Sequence, residues 1–170
     1  MEEWSNNILR FYELAQQESV RMIMVGGGAV NFHGYKRHSA DVDFWIDTSS
    51  ENLQKLIDVL QKMNYSIHYF PEEVLQSNQN ISVKFSPKEP LNLELITRFS
   101  VNKYFDKIYK NEAISTSKNA AHAGGQGDQD IKVKVLNYDD LITSKVKSNR
   151  PKDLLDIQEL ERVNNSKDYI

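Results

Sequence analysis

Asp41 and Asp43 stand two residues apart in the alternating stretch ADVDFWI at 40–46, where Val42, Phe44 and Ile46 take the opposite parity. On an extended strand that spacing turns both carboxylates to one side, with Cα atoms roughly 6.6 Å apart. Carboxylates this close repel, and one tends to stay protonated unless a cation lies between them, an arrangement that suits Mg²⁺ and its oxygen ligands. Chance alone also supplies many Asp-x-Asp pairs on exposed strand faces. Glu94 adds weight, because LNLELIT at 91–97 alternates as well, with Leu91, Leu93 and Leu95 on one side and Asn92, Glu94 and Ile96 on the other. If the two strands are neighbours, three acids share a face, which suits two divalent ions clamping an in-line phosphoryl displacement.

Upstream, RMIMV at 21–25 reads as a short apolar strand ending at Gly26-Gly27-Gly28, and AVNFHGY then predicts a short helix stopped by Gly34. A strand, glycine turn and helix offer unpaired backbone N–H groups to an anion, and glycine lets a phosphate approach closely. A plain connection with no ligand is the competing use of such a turn. Two standard glycine motifs are excluded: Asn31 stands where the dinucleotide fingerprint has its third glycine, and no Gly-Lys-Ser/Thr follows to make a P-loop. Arg37 and Ser39 complete the pattern R-x-S-x-D-x-D. A guanidinium there neutralises phosphate oxygens beyond the reach of the ions, and a hydroxyl donates to the same group; for Arg37 a surface salt bridge competes with that use. Lys145, Lys147, Arg150 and Lys152 form a basic run near the end, which is ordinarily a solvated helix face. His33, His38, His68 and His122 lack metal-ligand spacing, and Tyr104, Phe105 and Tyr109 would stack a base or, more often, pack a core.

The elements that must position these groups can be read from periodicity. Trp4, Ile8, Phe11, Tyr12 and Ala15 recur at helical spacing, as do Leu53, Leu56, Ile57, Leu60 and Met63 after the N-cap candidates at 47–50. SIHYF at 66–70 and ISVKF at 81–85 read as short strands around a polar helical piece at 72–76, and 101–109 is a weak segment. The stretch at 116–130, rich in Gly, Ala, Asn and Gln, predicts a mobile surface loop. IKVKVL at 131–136 predicts a strand, followed by helices at 138–147 and 151–163. Helices and strands without strict alternation indicate an α+β fold, a mixed β-sheet with flanking helices.

At 170 residues, 39% hydrophobic and 26% charged, the chain has the composition of one globular domain spanning 1–170. With no cysteine it has neither disulfides nor thiolate metal sites. The net charge of −3 disfavours an extended nucleic-acid footprint. The first residues lack the pattern of a secretory signal and no apolar run approaches a membrane span, so a cytoplasmic protein without membrane contact is expected.

Gly26-Gly27, the spacing to Arg37-x-Ser39-x-Asp41-x-Asp43, Glu94 within LELIT, and DLITSK…RPKDLLDI together resemble the DNA polymerase β-like nucleotidyltransferase superfamily over about 21–160. The resemblance is to its small bacterial members, which include antibiotic nucleotidyltransferases and the nucleotidyltransferase partners of toxin–antitoxin systems. It implies the polymerase β-like fold, with C-terminal helices from about residue 138 completing the pocket. It also implies transfer of a nucleoside monophosphate from an NTP to a hydroxyl on a small molecule, a protein or an RNA end. Asp41 and Asp43 would bind two Mg²⁺ ions, or Mn²⁺ in their place, with Glu94 holding the ion beside the acceptor and serving as general base. Gly26, Gly27 and Gly28 would cradle the triphosphate, with Arg37, Ser39, Lys145 and Lys152 as further nucleotide contacts and Asp153 as the partner of a nearby base. Two departures stand out: relatives often carry a serine after the first glycine, and Glu94 is commonly aspartate. Two alternatives follow, a non-catalytic partner or antitoxin-type module that keeps the fold and binds a protein, and a metal-dependent phosphodiesterase that uses water.

Overall fold

The computed structural model describes residues 6–39, 41–75, 82–84, 92–120 and 129–167. Trp4, Leu91, His122 and the 121–128 part of the expected loop lie outside them. Helix α1 (Asn6–Gln17) precedes strand β1 (Met22–Val25), helix α2 (Gly26–Phe32), strand β2 (Val42–Ile46), helix α3 (Ser50–Lys62) and the single turn α4 (Glu72–Leu75). Strands β3 (Ser82–Lys84) and β4 (Leu93–Ile96) follow, then helical turn α5 (Phe105–Lys107), which runs into a π-helical turn at Ile108–Glu112. Strands β5 (Ile114–Ala120) and β6 (Gln129–Val135) and helices α6 (Tyr138–Ser148) and α7 (Pro151–Lys167) complete the chain.

The strands form one mixed sheet in the order β3-β4-β2-β1-β6-β5. The pairs β2/β4 and β1/β6 are parallel and the other neighbours antiparallel. Flanked by helices, the sheet gives an α+β fold. Among the described residues no helix is long and apolar enough to cross a membrane.

Alternation on β2 and β4 decides what each sheet face does. Phe44, Ile46, Leu93 and Leu95 are buried, and the rings of Phe11 and Tyr12 on α1 pack against Phe44 at 6.2 and 5.3 Å. Helix α3 packs beside α1. Its start is fixed by Ser49, whose side chain accepts from the Asn52 N–H. The opposite parity of β2 and β4 carries Asp43, Trp45, Glu94 and Ile96 toward the side where α2 crosses β1 and β2 and where α6 and α7 pack. Strand β1, in the middle of the sheet, is buried throughout.

Three sequence expectations are corrected. The glycines do not form a turn before a helix: Gly26, Gly27 and Gly28 are the first residues of α2. Residues 66–70 are not a strand; Ile67 and Phe70, three residues apart and so of opposite parity, both pack on the core while Tyr69 is exposed, and the Gln61 side-chain amide donates to the Ile67 carbonyl at 2.7 Å. The expected loop at 116–130 begins and ends as strand, because β5 pairs with β6 from Ile114↔Val135 to Ala120↔Gln129. Backbone pairing there overrides a polar, loop-like composition.

A cleft between an acidic and a basic wall

Asp43 on β2 and Glu94 on β4 are direct register partners. The parallel pairing that aligns Val42 with Leu93 on the core side aligns these two carboxyls on the other. Burial first, then the negative charge of Glu94, raises the Asp43 pKa from 3.8 to about 6, and Asp41 and a hydrogen bond with Glu94 push the same way. The Gly27 N–H donates to Asp43 and partly opposes the rise.

Glycine is required at 26 and 27 for different reasons. Gly26 has φ +56° and sits against the acid: an added Cβ would lie 2.9 Å from the Asp43 Cγ. At Gly27 an added Cβ would fall 2.8 Å from the Ser39 Cβ and 3.5 Å from an Arg37 terminal nitrogen. The Ser39 side chain therefore fills the space a side chain at 27 would take, and its hydroxyl donates to the Asp41 carbonyl at 2.9 Å. Gly28 faces elsewhere, toward the Met24 sulfur.

Helices α6 and α7 supply the other wall. Asn149, left-handed at φ 48°, ends α6, and Pro151 opens α7 two residues later. The sharp break brings Lys145 against the first two turns of α7. There Lys145 Nζ lies 3.0 Å from Asp153 Oδ1 and 2.7 Å from Asp156 Oδ2. Arg37 joins from the segment after α2, its Nε 2.7 Å from Asp156 Oδ1. Arg150 Nε pairs with Asp153 Oδ2 at 2.6 Å. Two buried carboxylates thus hold three cations. Burial would raise the Asp153 pKa, but hydrogen bonds from Arg150 and Lys145 outweigh it and hold it at about 2. Arg150 is held protonated first by its bond to Asp153 and further by the charges of Asp153, Asp43 and Asp156, so it feels the acid wall across the gap.

Between the walls lies a cleft of about 420 Å³. It is lined by the acids Asp41, Asp43 and Glu94, by Gly26, Gly27 and Ser39, and by the bases Arg37, Lys145, Arg150 and Lys152. Of the residues expected to bind metal or nucleotide, Asp41, Asp43, Glu94, Gly26, Gly27, Arg37, Ser39, Lys145 and Lys152 line it and Gly28 does not; Lys147, Asp153, Tyr104, Phe105 and Tyr109 also lie outside this lining. Lys145 is almost fully buried in its ion pairs, so it acts on the cleft as a fixed charge behind the wall. His38 lines the rim, whereas His33 is bound to the Leu136 carbonyl at 2.8 Å and stacks edge-on with Phe32 and Tyr138.

The sequence motifs leave out Asp156 and give Arg150 only as a member of the basic run. A signal for Asp156 is present: Asp153, Asp156 and Leu160 occupy i, i+3 and i+7 of α7 and are all buried, so two acids stand where a helix stripe calls for apolar side chains.

The donor set of the acid wall is oxygen only, which fits a hard divalent ion such as Mg²⁺. Among the described residues no group of three acids and imidazoles cages an ion alone. Mg²⁺ commonly takes one or two carboxylates and completes its shell with substrate phosphates and water. A ligand with phosphate on one side and a cation on the other would match both walls at once. No protein-family model matches this chain, and no curated protein matches it.

Proposed function

We propose that the chain is a nucleotidyltransferase of the polymerase β-like type, moving a nucleoside monophosphate from an NTP to a hydroxyl acceptor. The observation that carries this reading is the register pairing of Asp43 with Glu94 across a cleft from the Arg37, Arg150 and Lys152 cations. Phosphoryl transfer needs little beyond alignment and charge neutralisation, and such a cleft offers both.

Arg37, Arg150 and Lys152 would bind the triphosphate oxygens, with Arg37 kept in one orientation by Asp156. The acceptor oxygen forms a bond to the α-phosphorus as the α–β bridging bond breaks, and pyrophosphate leaves with the electron pair. The hydroxyl proton passes to Glu94. Asp43 and Glu94, with Asp41 beside them and substrate phosphate and water completing the shell, would hold Mg²⁺, which would neutralise phosphate charge and favour the ionised hydroxyl. Ser39, in the space beside Gly27, brings to the cleft the hydroxyl that relatives often carry on the residue after the first glycine. In this reading the protein works in the cytoplasm, where NTP and Mg²⁺ are both supplied.

Pyrophosphate release from each NTP, with Mg²⁺ and with small hydroxyl compounds, proteins and RNA as acceptors, tests the reading. Turnover by the parent that is lost in Asp43→Ala is expected. No turnover by the parent, or turnover unchanged by Asp43→Ala, would overturn it; hydrolysis of nucleic acid with no NTP requirement would favour a phosphodiesterase instead.

A further inference from the structure

A second cavity, of about 570 Å³, has Phe99 in common with the first. Its floor continues the acidic sheet face. Trp45 follows Asp43 by two residues on β2, so both side chains leave the strand on one side, roughly 7 Å apart along it. Phe99, just beyond β4, lines both cavities and forms the shared wall.

The lining is aromatic with neutral polar groups between the rings. Trp45 is held by Phe99 and Phe105 at centroid distances of 6.0 and 5.2 Å. Tyr104 stands at the edge with 89% of its surface in water, a large ring placed where it covers no core. Thr48, Thr97 and Asn102 bring hydroxyls and an amide, and Arg98 brings a guanidinium plane. Asp47 pairs with Arg21 at 2.7 Å and Lys103 with Asp140 at 2.9 Å.

We propose that this second cavity takes the acceptor, and that the acceptor is an unpaired nucleoside, either free or at the end of a single RNA strand. The base lies against Tyr104 and Arg98, and the ribose hydroxyls reach back past Phe99 to Glu94. This rests on the nucleotidyl-transfer reading of the neighbouring cleft. Flat bases stack on exposed aromatic rings and guanidinium planes, and hydroxyl and amide side chains pair with unstacked base edges. The volume suits a single small ligand, and with a net charge of −3 the chain offers no global field for a duplex.

Calorimetric titration of the full chain, with neither NTP nor metal present, tests this with four nucleosides, a short single-stranded oligoribonucleotide and an RNA hairpin with a blunt end. Saturable binding of a nucleoside or of the single strand is expected, weakened about tenfold by Tyr104→Ala. Tyr104→Trp should retain it, and the hairpin should not bind. Tyr104 is exposed, so its replacement leaves the fold intact. Binding of the free nucleoside as tight as that of the oligonucleotide assigns a small-molecule acceptor, and binding of the oligonucleotide alone assigns an RNA end. The proposal is overturned if nothing binds, if Tyr104→Ala has no effect, or if Tyr104→Ala weakens Mg²⁺–NTP instead, which would make this the base pocket of the donor. Pyrophosphate release is read separately, so failure here leaves the transferase reading standing, and failure of turnover leaves the binding result interpretable.

Discussion

Asp43 and Glu94 face each other across the parallel pair β2/β4, hydrogen-bonded carboxyl to carboxyl. Two acids in that relation cannot both ionise without cost, and Asp43 bears it, with a pKa raised to about 6 by burial and by Glu94. The folded protein therefore binds more protons at this site than the unfolded chain between about pH 4 and 6, and stability falls as pH rises through that window.

Asp43→Asn should accordingly stabilise the protein at pH 7, by about 1–3 kcal/mol, while abolishing pyrophosphate release. A rise of several degrees in Tm at pH 7 that shrinks toward pH 4 is the expected result of a melting series. A lower Tm at pH 7 would mean that the acid pair is not under this strain.

Asp153 has the opposite character. Its pKa is held at about 2, below the 3.8 of an ordinary aspartate, so its contribution is present above about pH 4 and is lost as pH falls toward 2. Asp153→Asn also leaves the buried Lys145 with Asp156 alone. Chemical denaturation should show a loss of about 3 kcal/mol at pH 7 and a smaller difference at pH 3. Equal losses at both pH values would contradict this.

Gly27 and Ser39 compete for one volume. Gly27→Ala should lower both Tm and NTP affinity by displacing the Ser39 side chain. The exchange Gly27→Ser with Ser39→Gly should recover much of both, since it returns one hydroxyl to the same place. Recovery of Tm without NTP affinity would show that the hydroxyl has no part in phosphate binding.

Arg37 is gripped by Asp156 through two nitrogens, with Nε at 2.7 Å and a terminal nitrogen at 3.1 Å. Arg37→Lys keeps the charge but loses the planar fork. NTP affinity should fall about tenfold with little change in Tm, and Asp156→Asn should weaken NTP binding in the same direction while costing stability. NTP affinity unchanged in Arg37→Lys would reduce Arg37 to a structural salt bridge.

The parity of residues 40–46 and 91–97 was enough to separate a core face from an acid face, because a strand allows only two directions for a side chain. That the two strands are neighbours, aligned as Asp43↔Glu94, is a tertiary fact that parity does not carry. The glycines looked like a turn since glycine is a poor helix former, yet the crowding of Gly26 by Asp43 and of Gly27 by Ser39 keeps side chains out of the first turn of α2. Lys147, Arg150 and Lys152 are exposed, as a solvated helix end predicts, whereas Lys145 is buried because its carboxylate partners Asp153 and Asp156 lie in the next helix, across the Asn149 break. Strand β5 was hidden because its pairing is decided by β6 and not by its own composition.

The central claim is that the acid and basic walls together bind one metal–nucleotide complex, and a thermal-shift panel of the four NTPs with and without Mg²⁺ tests it most directly. Stabilisation by at least one NTP, only with the ion present and absent in Asp41→Ala/Asp43→Ala, is the predicted result; at a hundredfold excess over Kd it amounts to about 2.7 kcal/mol. Stabilisation by no NTP, or stabilisation that persists unchanged without Mg²⁺ or in the double variant, would contradict it.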